Sequence, residues 1–182
     1  MECQNEETPI SDIQCMFKNI PSFPGLSTID LHERQAVVYI AGYVCRKATS
    51  RYHCEACSIQ IHNGKQFTNV KQNDIFTYLS SVSRGGLLIP TDFMVLIIAY
   101  CQHVFKSVTT DVSFLKGSNQ RDILTELLTK YICCYCKPFH CISTRAICIS
   151  VFANLSLNRF SRESTLSVAS RKSRKLSTFQ EE

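Results

Sequence analysis

The sequence predicts an all-α protein of about five helices interrupted by two Cys/His-rich loops. Three observations carry this reading. Apolar residues recur at spacings of three and four along several segments, no stretch alternates apolar and polar residues as a half-buried strand would, and Gly, Pro, Asn and Asp fall where those segments begin or end. The chain has 182 residues, of which 45% are hydrophobic and 19% charged. That is enough apolar material for one packed domain and too much for wholesale disorder.

Taken in order, residues 1–28 mix acids, prolines, a glycine and isolated apolar residues without a period, which predicts a flexible lead-in. Residues 30–49 place Val37, Ile40, Ala41, Val44 and Cys45 on one helix face, with Asp30 near the start and Arg46 and Lys47 near the end. Gly42 inside it does not break the pattern. Residues 51–64 lose the period and hold His53, Cys54, Cys57 and His62, which predicts a knuckle or loop. Asn73 or Asp74 then caps a short helix over Ile75, Phe76, Leu79 and Val82 that stops at Gly85-Gly86.

Pro90-Thr91-Asp92 opens the next helix with Thr91 as N-cap, and residues 93–108 are apolar almost all round, so this is the central, most buried helix. Asn119 and Asp122 open another, carrying Ile123, Leu124, Leu127, Leu128, Tyr131 and Ile132 at helical spacing. A second Cys/His-rich stretch follows, with Pro138 separating two helices. The last helix is expected over residues 144–159 with Ile147, Val151, Leu155 and Asn158 on one face. Beyond it, a Ser, Arg and Lys composition predicts a disordered or loosely helical tail. The organisation is thus a lead-in at 1–28, a helical domain at 29–160 and a basic tail at 161–182.

The 11 cysteines are an odd count, and the N-terminus has neither a basic nor an apolar signal-like region. The longest apolar run, residues 93–101, is far shorter than the roughly 18 to 20 residues that cross a bilayer. An intracellular chain with reduced or metal-bound thiols is expected, with no membrane partner. Cys45, Cys101 and Cys148 fall on apolar helical faces, where a thiol is a small hydrophobe. Cys3 and Cys15 lie in the lead-in. Cys54-x2-Cys57 has the spacing of half a zinc site, and a second half is required. Cys133, Cys134, Cys136, His140 and Cys141 supply candidates for it, and His53 and His62 compete beside the first pair. A cysteine nucleophile with a neighbouring histidine base, from His53-Cys54 or His140-Cys141, lacks a third orienting group. Asp30, Asp74, Asp92 and Asp122 each stand where a helix begins, which reads as capping.

The net charge is +5, and six of the twenty Lys and Arg residues fall in the last 24 positions. Arg171, Lys172, Arg174 and Lys175 form a cationic run suited to phosphates or to nuclear import. Arg46, Lys47 and Arg51, with Lys65 and Lys71, surround the first cysteine pair beside Tyr43 and Tyr52. With no Trp and no glycine-rich phosphate loop, any DNA contact is expected to be weak and sequence-tolerant, and no small-molecule substrate is expected.

Several motifs in fixed order carry a family resemblance: Val38-Tyr-Ile-Ala-Gly-Tyr-Val44 with Arg46-Lys47, Cys54-Glu-Ala-Cys57, Ser83-Arg-Gly-Gly-Leu-Leu-Ile-Pro-Thr-Asp-Phe93, and a Cys and His pair before a helix leading to Asn158 and a Lys/Arg tail. Together they resemble the C-terminal part of P element-type transposases, the family that includes THAP domain-containing relatives. The resemblance covers about residues 30–176. It implies a structural zinc site of Cys54, Cys57, Cys136 and His140, a nuclear location, and DNA and a transposase catalytic domain as partners. The family cuts and joins DNA with three carboxylates holding two Mg²⁺ ions. The Glu-Asn-Leu-Phe-like motif that carries the last of them is not found between residues 1 and 38. The expectation is a non-catalytic fragment with no catalytic residues of its own; the alternative is a domesticated protein-interaction or chromatin-binding module.

Overall fold

Helix α1, Leu31–Arg51, begins where a carboxylate caps it: the Glu33 N–H donates to Asp30 at 2.8 Å, giving a partner to one of the donors that a first turn leaves open. Val37, Ala41, Val44, Cys45 and Ala48 are buried along one stripe, with Ile40 half-buried at its margin. The structure, a computed structural model, describes residues 20, 22–64, 86–111, 114, 119–135 and 139–178, the last with side chains only as far as 162, and those of 134 and 135 are likewise not described. Among the described residues there are five α-helices and no strand. The helix expected over residues 75–82 lies outside them.

Helix α2, Glu55–Ile61, corrects the expectation of an irregular knuckle. Two turns suffice because Cys57 and Ile61, four residues apart, put one face into the core while Ile59 stays outside. After it, Gly64 takes a φ of 90°, in the left-handed region that favours glycine. The chain then bridges to the segment before α3, with Asn63 N–H donating to Ile89 O at 2.8 Å and Ile89 N–H to Gly64 O at 3.0 Å.

Helix α3, Asp92–Val108, is capped by Thr91, whose hydroxyl accepts the Met94 N–H at 3.3 Å. Met94, Ile97, Ile98, Ala99, Cys101, Val104 and Val108 are buried, as its nearly all-round apolar character requires. Helix α4, Gln120–Tyr135, continues through Cys133 and Cys134, which the sequence places in an interruption. Its buried residues, Ile123, Leu124, Leu127, Leu128, Tyr131 and Ile132, are those that the periodicity selects.

Helix α5, Ile142–Thr178, is longer than expected at 37 residues. The stretch read as a disordered or loosely helical tail is helical backbone to Thr178, since it holds neither Gly nor Pro and simply extends a helix already nucleated by packing. Its core face also differs. Cys148, Ile149, Phe152, Ala153 and Ser156 are buried with Val151, whereas Ile147 and Leu155 are half-buried and Asn158 is exposed, so the true face is rotated by one residue.

Helices α1 and α4 each pack on both α3 and α5, with α3 touching α5 across the middle, while α2 leans on α3. Among the described residues this is an arrangement of four helices around one core, with α2 as a small attachment at one end. The described part of the lead-in docks on it: a 3-10 turn at Leu26–Thr28 and the side chains of Ile20, Phe23 and Ile29 pack against the core, and the Phe23 ring lies 4.5 Å from Tyr100 and 5.6 Å from His103. No described helix is long and apolar enough to cross a membrane.

The rotated face of α5 is testable. Phe152→Ala is expected to lower stability by about 3 to 5 kcal/mol, as for other buried aromatics, and Asn158→Ala to change it by less than about 0.5 kcal/mol. Urea unfolding followed by far-UV circular dichroism separates the two.

Candidate metal centre

Two chain segments far apart in sequence supply the site. Cys54 stands immediately before α2, its carbonyl accepting the Ser58 N–H, and Cys57 follows in the first turn. Cys141 stands immediately before α5, its carbonyl accepting the Arg145 N–H, and His140 precedes it. The second segment is held against the first by fixed contacts. The His140 N–H donates to Gln60 Oε1 at 2.9 Å, and the Phe139 ring meets Phe93 edge-on at 5.2 Å. Thr91 ties α2 to the start of α3 by donating to Gln60 O at 2.7 Å.

The ligand atoms of Cys54, Cys57, His140 and Cys141 all lie within 4.8 Å of one another. Cys54 Sγ is 3.7 Å from Cys141 Sγ and 3.7 Å from His140 Nδ1; Nδ1 is also 3.7 Å from Cys57 Sγ and 3.2 Å from Cys141 Sγ. A tetrahedral ion bound at about 2.3 Å to thiolates and about 2.0 Å to an imidazole requires S···S edges of about 3.8 Å and S···N edges of about 3.5 Å. The donor set fits an ion of that size at its centre.

Protonation follows the same geometry. The Cys57 backbone N–H, and then the Cys57 thiol, hydrogen-bond to Cys54 and bring its thiol down to about 7. Cys141 is pushed up to about 11, first by its hydrogen bond with Cys57 and then by desolvation. Tyr52 is raised because its phenol faces the charge of Cys141. Three thiols this close resist ionising together unless a cation shares the site.

Of the four ligands implied by the family resemblance, Cys54, Cys57 and His140 come together. Cys136 lies outside the described residues, and the fourth corner is occupied by Cys141, one of the competing candidates. Adjacent residues converge here because His140 uses Nδ1, the ring nitrogen nearer the backbone, which reaches the point that the next side chain also reaches. The Cys134 side chain, like Cys136, lies outside the described set, and the candidates that are described are engaged elsewhere or turned outward. His62 Nδ1 accepts the Gly64 N–H at 3.0 Å, Cys133 Sγ accepts from Arg145 Nη1 at 2.8 Å, and His53 is exposed. Gln60 was not singled out by the sequence, and no spacing signal marks it.

Cys45, Cys101 and Cys148 are buried in the helical core as expected. Arg46, Lys47 and Arg51 are exposed on the last turns of α1, with Lys47 Nζ 5.7 Å from the centre of the Tyr43 ring. Arg171, Lys172, Arg174 and Lys175 lie on the last helical turns of α5, and their side chains are outside the described set; Lys65 and Lys71 lie wholly outside it.

Fold and site together define a class of protein: an all-α domain with a four-ligand Cys/His centre that could hold a metal ion. The family model for the C-terminal domain of the DNA transposase THAP9 matches residues 26–159, and the chain belongs to that family. No curated protein and no solved structure matches it.

If these four atoms hold the ion, Cys141→Ser and His140→Ala each lower its stoichiometry from one per chain, while Cys133→Ser leaves it at one. Elemental analysis after reducing, chelator-free purification reads the outcome.

Proposed function

We propose that this chain is a non-catalytic C-terminal fragment of a P element-like DNA transposase, a zinc-stabilised helical domain that supports contacts with DNA and with the catalytic domain in the nucleus. The observation that carries it is the meeting of Cys54 and Cys57 with His140 and Cys141 inside the region that the transposase family model covers. Three thiolates and one imidazole at tetrahedral spacing suit zinc among the common ions, and four protein ligands close the sphere, which is a structural and not a catalytic arrangement. Three of the described aspartates stand at helix starts. Asp30 caps α1, and Asp92 and Asp122 lie in the first turns of α3 and α4.

DNA contact is assigned to Arg46, Lys47 and Arg51 and, mainly, to Arg171, Lys172, Arg174 and Lys175. It neutralises phosphates without reading bases, so it is weak and sequence-tolerant. One observation favours the second reading, a domesticated protein-interaction or chromatin-binding module. Ile59, two residues after Cys57, and Ile142, next to Cys141, stand exposed, which suits a protein partner.

Incubated with transposon-end DNA and Mg²⁺ or Mn²⁺, with or without GTP, the full chain is expected to give no cleaved or joined product; metal-dependent strand transfer would overturn the fragment reading. Deleting residues 171–175 is expected to reduce the salt dependence of duplex binding by up to about four phosphate contacts. Unchanged binding at low salt would remove the tail from the interface.

A further inference from the structure

We infer that the outer face of α1 is a track for single-stranded nucleic acid, running from the metal centre to a groove at the other end of the bundle. The inference rests on the DNA-contacting reading above and names its substrate class. It starts from the surface that α1 leaves uncovered. Tyr39, Tyr43, Lys47 and Arg51 follow one another at four-residue steps, with Arg46 beside them; the line starts opposite the buried Val37 and Ala41 and winds to the margin of the core stripe at Arg51, with Tyr43 half-buried against the core and Tyr39, Arg46, Lys47 and Arg51 exposed. Tyr39 is 40% exposed and Tyr52, at the end of the line, 39% exposed.

Charge complementarity points to a polyanion. Between Glu33 and Glu55 the sequence holds no acid, and in the antiparallel neighbour α5 the first acid after its start is Glu163. Glu33, at the far end, is already paired with Lys106. The ion pairs among the described residues do not include Arg46, Lys47 or Arg51, so their charge faces solvent. Cations alone would suit any phosphate backbone, but aromatic rings interleaved with them distinguish the partner. Four helical residues advance about 6 Å, and tyrosines at such steps offer flat faces on which unpaired bases stack. A duplex keeps its bases paired and turned inward, leaving those rings without a partner.

Tyr39 also borders a groove of about 420 Å³ between α1, α3 and α5, walled by Ile40, Phe105, Leu155 and Phe160 and edged by the Lys106–Glu33 ion pair and by Arg159. This apolar slot, with Arg159 at its rim, would accept a base between aliphatic and aromatic walls while phosphates stay outside. At the opposite end the centre formed by Cys54, Cys57, His140 and Cys141 fixes the loop that carries Tyr52, so the track is anchored at both ends.

The test measures binding of the full metal-loaded chain to a fluorescein-labelled 20-nucleotide thymidine strand and to a 20-base-pair duplex, across a salt series. The single strand is expected to bind more tightly than the duplex. Tyr39→Ala is expected to weaken single-strand binding about 5-fold or more while Tyr39→Phe restores it, because loss of one stacked base costs at least that factor. Lys47→Ala should lower the single-strand salt slope by about 0.7. Circular dichroism and metal content establish that each variant is folded. Equal or tighter duplex binding, or an unaltered affinity in folded Tyr39→Ala, overturns the track. If deletion of residues 171–175 abolishes binding to both probes while the Tyr39 and Lys47 variants leave it unaltered, the track fails and the wider DNA reading stands. If the intact chain binds neither probe at low salt, both fail.

Discussion

Cys54, on the turn that leaves α1, and Cys57, in the first turn of α2, meet His140 and Cys141, which lead into α5, and the register of the bundle depends on that meeting. Cys54 and His140 are 86 residues apart. Joining them places the end of α1 beside the start of α5, so the two helices must run antiparallel. An ion held by these four donors would also enclose α3 and α4 within one loop of chain whose ends could not separate. By analogy with covalent cross-links, closing a loop of that length removes unfolded-state freedom worth on the order of 4 kcal/mol. A bound ion adds to this the relief of crowding among three thiols. The hydrogen bond from His140 to Gln60 and the Phe93–Phe139 contact hold the second segment in place, so the donors are positioned by packing as well as by one another.

The same element serves both core and surface. On its inner side α1 presents small and branched residues to α3 and α5, and Ala41, Val44 and Cys45 are fully shielded. From Tyr39 to Arg51 its outer side carries tyrosines and cations with no acid among them. A helix with this division needs no charge pairing to stay soluble or folded, because burial of one stripe supplies the stabilisation. The cationic side is therefore free to serve binding. The metal centre lies where that side ends, so anything that loosens the centre also loosens Tyr52 and the last turn holding Arg51.

Cysteine plays two distinct parts in this molecule, and environment decides which. Cys45 donates to Ile61 O inside the core, and burial pushes its thiol well up; Cys148 is pushed up to about 12 by the same desolvation. These thiols behave as small apolar groups. Cys54, partly exposed and hydrogen-bonded by the backbone of Cys57, is brought down to about 7 and is ready to ligate. Cys57 and Ile61 are both buried, so apolar packing begins directly behind the ligand set.

Residue order alone determined the helical class, the caps at Asp30 and Thr91, the central place of α3 and the buried residues of α4, because each depends on spacing within a single segment. It also marked Cys54, Cys57 and His140 through local pairing and family resemblance. Other features were decided only in three dimensions. The face of α5 depends on which neighbours it meets, and a helix with apolar residues at 147, 148, 149, 151 and 152 offers more than one stripe; packing against α1 and α4 selects the one through Cys148 and Phe152. Residues 55–61 are too few to form a helix by propensity and do so because Cys57 and Ile61 are buried against α3. The fourth corner of the metal centre was settled the same way. The family resemblance pointed to Cys136, four residues before His140, but ligand choice depends on where side-chain atoms converge, and the turn into α5 carries Cys141 to that point.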